Sequence, residues 1–357
     1  MRNWLVSLLK QREMARAILS AACLTRDDGL MQVLVVGGSG FIGSRIVERL
    51  SRTGWARPVV GGRRAAASLN GVEFRSVDST NSGALDAALS GVDAVVNCVA
   101  GDQSNIADGA RLLAQACLRA SIPRVTHLSS MAVYAHGGGV DLRENSPLVP
   151  PGIGYAGAKR QAEAHMATLA RGGSVVFMLR PGCVFGPGSS MWVCFIAELL
   201  RQGRIGHLGG AGDGWSNLVH VDTVADAVVA SLHQEGRLGE AVAVNLAAPD
   251  SPHWNQYFQD LAAAIGVAPK QISPRLLQLD AWLSSAIGKV ARPIAARFGS
   301  GANAWPQALH PSFLQLWSRQ ARMDASFAQQ ALGLQPSSYR QGLNDSVEWL
   351  LKVQRVT

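Results

Sequence analysis

Tyr155 and Lys159 stand four residues apart in Tyr155-Ala-Gly-Ala-Lys159, and Ser130 precedes the tyrosine by 25 residues. On a helix, positions i and i+4 share one face. An ammonium beside a phenol favours the phenolate and lowers its pKa. That matters because an unperturbed tyrosine titrates near ~10 and is a poor base at neutral pH. A hydroxyl such as Ser130 can hold a substrate oxygen while Tyr155 moves its proton. The chemistry these types and spacings suit is proton transfer to or from an oxygen, with Lys159 tuning the tyrosine.

Such a set works only if strands and helices deliver it to one edge. The stretch Met31 to Gly43 supplies the first of them. Val33-Leu34-Val35-Val36 is short and β-branched enough for a buried strand. Glycines follow, and Phe41-Ile42 opens a helical pattern. Gly37, Gly40 and Gly43 lie three apart, and Gly38, Gly40 and Gly43 also fit G-x-G-x-x-G. Each glycine answers a steric need at a dinucleotide: a tight turn, close backbone approach to a pyrophosphate, and close helix–strand packing. The helix N-terminus offers free amides and a positive dipole end to the phosphates.

From Met31 the chain alternates. Strand patterns cover Val33–Gly37, Pro58–Gly62, Val72–Val77, Ala94–Val99, Val125–Ser129 and Val175–Leu179. Helical patterns cover Phe41–Arg52, Ser82–Ser90, Asn105–Ala120 and Tyr155–Arg171. This is an α/β class with a doubly wound parallel sheet. Ligands in such sheets lie beyond the carboxyl ends of the strands. Residues just after strands therefore carry the interest: Arg63 with Arg64, Asp78-Ser79, and Asn97 to Gly101. No Asp or Glu lies between Arg57 and Asn70 to meet a ribose 2′-OH. Arg63 instead suits a 2′-phosphate, which favours NADP(H) over NAD(H).

The set as a whole resembles the extended short-chain dehydrogenases/reductases, the NAD-dependent epimerase/dehydratase superfamily, from Met31 to about Leu351. Its carriers are Gly37-x-x-Gly40-x-x-Gly43, Ser130-Met-Ala-Val-Tyr134, the Tyr155/Lys159 pair, Leu179-Arg-Pro-Gly-Cys-Val-Phe-Gly-Pro187 and Asn217-Leu-Val-His-Val-Asp222 with Val224-Ala225. The resemblance implies a Rossmann sheet with a smaller C-terminal substrate-binding lobe. It implies catalysis by Ser130, Tyr155 and Lys159. It implies cofactor contacts from Gly37, Gly40, Phe41, Ile42, Gly43, Arg63, Asp78 near the adenine, Ser79, Ala100, Tyr155, Lys159, Pro181 and Val184. Cys183, Met191 and Trp192 are expected at the substrate, and a homodimer is the expected assembly. On this reading residues 31–183 form the NAD(P)-binding domain, to which 216–248 return. Residues 184–215 and 249–357 form the lobe, with a helix over Trp192–Arg201 and a glycine-rich loop Gly203–Gly214. The aromatic stretch holding Trp282, Phe298, Trp305, Phe313 and Trp317 is either the lobe's own core or an apolar pocket wall. Arg292 and Arg297 within it leave a membrane-surface reading open.

Absences narrow the branch. Sugar-nucleotide 4,6-dehydratases carry Asp-Glu after the catalytic hydroxyl residue, where this chain has Met131-Ala132. Sugar-nucleotide epimerases usually carry an Asn where this chain has Cys183, and a thiol replaces that amide poorly. Arg180-Pro181-Gly182 looks more like the 3β-hydroxysteroid dehydrogenase and dihydroflavonol reductase branch, which acts on apolar alcohols and ketones. The expected function is an NADP(H)-dependent interconversion of a ketone and a secondary alcohol on an apolar molecule. The alternatives are a sugar-nucleotide epimerase or reductase, and a cofactor-binding protein without turnover.

Composition agrees with a globular enzyme: 357 residues, 48% hydrophobic and 16% charged. The balance of 33 basic against 25 acidic side chains, net +8, suits an anionic cofactor. The basic residues are scattered, so no nucleic-acid partner is expected. No apolar run reaches the ~20 residues of a membrane span. The five cysteines form no C-x-x-C pair, which points to reduced thiols, a cytoplasmic setting and no metal site. Residues 1–30 read as an extension outside the core fold, most simply an upstream start, because Met31 directly precedes the first strand.

Overall fold

The computed structural model describes residues 29–64, 69, 71–135, 141–234, 239–268, 270–283 and 309–354. Residues 1–28 of the extension, and Arg292, Arg297, Phe298 and Trp305, lie outside them.

Seven strands form one sheet: β1 Met31–Val36, β2 Ala56–Gly62, β3 Glu73–Ser76, β4 Ala94–Asn97, β5 Arg124–Leu128, β7 Val175–Pro181 and β10 Ala241–Leu246. Their order is β10-β7-β5-β4-β1-β2-β3, and every neighbouring pair is parallel. A parallel sheet is covered on both faces, so its strands read as nearly continuous apolar runs. That is why β1, with Val33 to Val36 all buried, stands out in the sequence. β10 does not stand out. It lies at the sheet edge, its Ala241–Ala243 half is only partly covered, and its run ends in Asn245-Leu246. It pairs with β7 from Ala241–Val176 to Leu246–Pro181.

Three helices on one face and three on the other close the sandwich. α1 Phe41–Ser51, α6 Val221–His233 and α9 Ser326–Leu332 share a core with Val33, Val35, Ile46, Leu50 and Val224. α2 Ser82–Ala88, α3 Gln103–Arg119 and α4 Gly154–Arg171 share another with Leu34, Val95, Leu113 and Met166. Burying each such side chain contributes roughly 1.5–3 kcal/mol.

A third core lies apart from these two and draws on both parts of the expected division, Val133 and Tyr134 as well as Trp254 and Trp317. It is built from β8 Cys183–Phe185, a π-helical turn Ser190–Phe195, α5 Ile196–Arg201, β9 Leu218–His220, α7 Trp254–Ala264, α8 Pro311–Trp317 and α10 Tyr339–Gln354. Trp254, Tyr257, Phe258 and Trp317 are fully buried there. Phe313 packs on Trp317 with ring centroids 5.6 Å apart. Phe313 and Trp317 therefore serve the lobe core, while Trp282 is exposed. Short parallel pairs knit distant stretches: β8 with β9, and β6 Asp141–Leu142 with β11 Arg322–Met323. The helix expected over Trp192–Arg201 begins instead as the π-helical turn, where the Ser189 hydroxyl accepts from Trp192 N and Cys194 N donates to Ser189 O. No helix among the described residues is long and apolar enough to cross a membrane.

Candidate active site

The strand order reverses between β1 and β4, and in open α/β sheets that reversal marks the ligand crevice. The residues after β1 fit a dinucleotide there. Gly37 has φ +81°, a left-handed conformation that side chains disfavour. A Cβ on Gly43 would stand 2.2 Å from Gly37 O, so only glycine lets α1 approach the turn this closely. α2 and α3 are capped by Asn81 and Asp102, whereas α1 starts at Gly40, which has no side chain to occupy its first amides. An uncapped helix start with no acidic residue in its first turn suits a pyrophosphate. Phe41 and Ile42 begin this helix, and Phe41 borders Gly188 beyond β8.

The other expected cofactor residues stand on or just beyond other strands. Arg63 is exposed just after β2. Its charge reaches Asp78, whose carboxyl is held below the usual carboxylate range first by the amide and hydroxyl of Thr80 and lastly by Arg63. Ser79 lies against α3, its Oγ 3.2 Å from where a Gly109 Cβ would sit. Ala100 is exposed beyond β4. Pro181 ends β7, and Val184 is buried in β8.

Ser130 follows β5 and starts the short 3₁₀ turn Met131–Val133, its Oγ accepting from Ala132 N at 3.2 Å. Tyr155 lies in the first turn of α4, close enough to the Ser130 side chain for that hydroxyl to influence its phenol. Tyr155 is half exposed. Burial is nonetheless the largest influence on its phenol and pushes the pKa up, the neighbouring Ser130 side chain draws it back, and Cys183 raises it further. Lys159 is not among the groups that move it, which differs from the depression expected from the i, i+4 spacing. The reason is where the ammonium goes. Lys159 is buried, and its Nζ donates to Leu128 O at 2.7 Å and Val99 O at 3.4 Å. Burial lowers its own pKa to about 8, against the raising influence of Cys98 and Glu163.

Beneath these three groups is a buried polar layer that spacing alone did not reveal. Glu163, one turn beyond Lys159, takes both arms of Arg180 and the Ser129 hydroxyl. Arg180 also donates to Tyr134 Oη at 3.0 Å. Glu163 continues the four-residue stripe of Tyr155 and Lys159, so a helical reading carried one turn further finds it. Asn97 and His127 pair behind the lysine, and no short-range pattern announces a contact between two strands.

Of the residues expected at the substrate, Cys183 is buried in the third core, with its amide bonded to Asn217 O at 2.9 Å. Burial pushes its thiol strongly up. Met191 is half exposed in the π-helical turn. Trp192 turns inward instead: it packs on Trp254 and Phe313 at 5.3 and 6.0 Å, and its carbonyl accepts from the Tyr257 hydroxyl. No cluster of His, Cys, Asp and Glu suited to a metal occurs among the described residues.

Residues 33–247 match the model of the NAD dependent epimerase/dehydratase family. The 3beta-hydroxysteroid-dehydrogenase/decarboxylase isoform 1 of Arabidopsis thaliana is 24% identical over 239 residues, 59% of this chain and 54% of that protein. The chain thus spans about half of that relative's length. Sterol demethylase protein B of Methylococcus capsulatus is 26% identical over 336 residues, 89% of this chain and 98% of that protein. Among solved structures, UDP-glucose 4-epimerase of Thermotoga maritima has a TM-score of 0.69 at 19% identity, covering 91% of this chain and 100% of that one. MoeE5 in complex with UDP-glucuronic acid and NAD has a TM-score of 0.68 at 22% identity, covering 90% and 99%. At such identities the structural likeness speaks of fold. The family match spans most of the sheet and the whole glycine turn, and on it the chain belongs to the NAD-dependent epimerase/dehydratase family, as an enzyme of the extended short-chain dehydrogenase/reductase type.

Proposed function

We propose that this enzyme interconverts a ketone and a secondary alcohol on an apolar small molecule, with NADP(H) as its nicotinamide cofactor. The observation that carries this reading is the closeness of Ser130, just past β5, to Tyr155 in the first turn of α4, with Lys159 one turn further along that helix. Gly37, Gly40, Phe41, Ile42 and Gly43 would hold the pyrophosphate, Arg63 the 2′-phosphate, and Asp78 and Ser79 the adenosine end. Ala100, Pro181 and Val184 would line the rest of the dinucleotide. When bound, the nicotinamide supplies or takes up a hydride.

The chain's own part is to hold the substrate oxygen and move its proton. Ser130 orients the oxygen, and Tyr155 donates the proton in reduction or accepts it in oxidation. Lys159, one turn along α4 from Tyr155, holds its ammonium on the carbonyls of Leu128 and Val99. Two observations support an apolar substrate. Cys183 presents a buried thiol where an amide would serve a sugar diphosphate. The curated relatives that match the chain are named for sterols, including the Methylococcus protein matched over nearly its full length. Met191 stands at the substrate side, and Trp192 backs it from the lobe core. The solved structures with UDP-sugars favour the second reading, a sugar-nucleotide epimerase. A homodimer, suggested by the family, and a cytoplasmic setting, suggested by the free thiols of Cys98, Cys117, Cys183 and Cys194, complete the proposal.

The test mixes purified enzyme with NADP⁺ or NAD⁺ and follows reduced nicotinamide on adding 3β-hydroxysteroids, other apolar secondary alcohols, or UDP-glucose. Steroid-dependent reduction of NADP⁺ is expected. Conversion of UDP-glucose to its epimer, with no response to any apolar alcohol, would transfer the assignment to the second reading.

A further inference from the structure

Tyr155, Lys159 and Glu163 occupy successive turns of α4, on one stripe. Glu163 is 1% exposed. Its Oε1 accepts from Arg180 Nε at 2.8 Å and from Ser129 Oγ at 2.7 Å, and its Oε2 accepts from Arg180 Nη2 at 2.9 Å. Arg160 approaches from the outer edge at 3.7 Å. Ser129 in turn donates its amide to Leu179 O at 2.7 Å and is the residue before Ser130. One carboxylate therefore fastens α4, which carries Tyr155 and Lys159, to β5, which leads into Ser130, and to β7.

Stability is a poor reason for such an arrangement. Two buried charges lose much of their hydration, and a well-packed apolar replacement is often as stable. What the pair supplies is a fixed helix height and a negative charge near a buried ammonium. The other groups facing Lys159 do not offer that charge. Cys98, beyond β4, has its thiol pushed up to about 12 by burial. His127, on β5, is held neutral by burial and by Lys159 itself. The remaining contacts are the carbonyls of Leu128 and Val99.

We propose that Glu163 is a positioning residue for the proton-transfer pair: with Arg180 and Ser129 it sets α4 over the strand that leads into Ser130, and it lays its carboxylate on the helix stripe that carries the Lys159 ammonium. This rests on reading Tyr155 and Lys159 as that pair.

The chain contains five lysines, so protein labelled at the lysine ε-carbon gives few NMR signals, and Lys159→Met assigns the one of interest. In the wild type the Lys159 signal should titrate near pH 8. Glu163→Gln keeps the side chain's reach and removes its charge. Its Lys159 signal should titrate about one pH unit lower, and the alkaline limb of kcat should move with it. Glu163→Asp keeps the charge and shortens the reach. It should restore the titration while kcat stays several-fold below wild type. A Glu163→Gln enzyme whose Lys159 titrates as in the wild type overturns the electrostatic role. Should Glu163→Gln fail to fold, Glu163→Asp and Ser129→Ala decide. Both should lower kcat at constant cofactor Kd, and wild-type kcat in both overturns the proposal. Full turnover in Lys159→Met would instead remove the underlying catalytic reading, leaving the titration result to stand on its own.

Discussion

Asn97 Nδ2 lies 3.1 Å from His127 Nδ1, in a buried pair that joins the end of β4 to β5 behind Lys159. Asn97 Oδ1 is taken by Val99 N at 3.1 Å, so its amide nitrogen faces the imidazole and His127 Nδ1 accepts. The ring proton then sits on Nε2, and burial and Lys159 together keep the imidazole neutral. A histidine depressed in the folded state binds fewer protons than in the unfolded chain once pH falls below its ordinary value near ~6.5. Stability is therefore present above that value and is lost as pH falls below it. Chemical denaturation between pH 7.5 and 5 (about that span) should show this decline, and His127→Gln should flatten it. A His127→Gln slope equal to wild type would mean that His127 is protonated in the fold.

Tyr155→Phe removes the phenol hydroxyl that stands beside Ser130. General acid–base steps contribute roughly 10²–10⁴-fold, so kcat should fall by about that factor while cofactor affinity holds. Near-normal turnover in this variant would end the mechanism proposed for the site.

Lys159→Met should separate activity from stability. The folded pKa of Lys159 lies below its ordinary value, so the unfolded chain binds more protons between pH about 8 and 10.5. Burial of the ammonium thus costs stability at neutral pH, and the cost fades as pH rises through that window. The methionine variant should be more stable than wild type at pH 7 by about 2 kcal/mol, by an equal amount less so at high pH, and nearly inactive. Denaturant midpoints at the two pH values check the sign.

Arg63→Ala should weaken NADPH by about 10–100-fold, the worth of charge-assisted bonds to one phosphate, and leave NADH within about twofold. Because Arg63 is exposed, the difference should shrink as salt is added. Equal loss for both cofactors would place Arg63 on a shared group or in a structural role.

Gly43→Ala places a methyl 2.2 Å from Gly37 O. Overpacking of this kind costs about 1–3 kcal/mol, and the turn can relax only by opening the cradle. Both stability and cofactor affinity should drop. Unchanged affinity, read by fluorescence titration, would show that the turn does not hold the dinucleotide.

Much of this was legible in the sequence for a physical reason. The inner strands β1, β2, β4, β5 and β7 announced themselves because two-sided burial demands apolar runs, and α4 because its spacing is periodic. β10 was not, since an edge strand with a half-covered face carries a weaker run. The site was legible where its residues are local in sequence. Ser130 and Tyr155 lie close together, while the Lys159 ammonium goes to the carbonyls of Leu128 and Val99. Glu163 was one turn away on the same stripe, while its partners Ser129 and Arg180 come from other strands. The expected pull of Lys159 on the tyrosine went astray because helical spacing fixes which face a side chain leaves from, not which carbonyls it reaches. Trp192, expected at the substrate, is claimed by Trp254 and Phe313.

The knitting of the lobe has a consequence for biogenesis. β6 at Asp141–Leu142 finds its partner only in β11 at Arg322–Met323, and Tyr339, Leu343 and Leu350 complete the same core that Val133 and Tyr134 begin. A chain emerging from the ribosome can assemble β1 to β5 with their helices long before that core exists. For most of synthesis the lobe's aromatic surface is without its closing pieces, and contacts this distant in sequence form slowly. A nascent chain stalled before α8 should therefore be the form that chaperones hold. Cofactor part and lobe part are interleaved along the chain, because β6 pairs with β11 and β8 with β9 across long stretches of sequence.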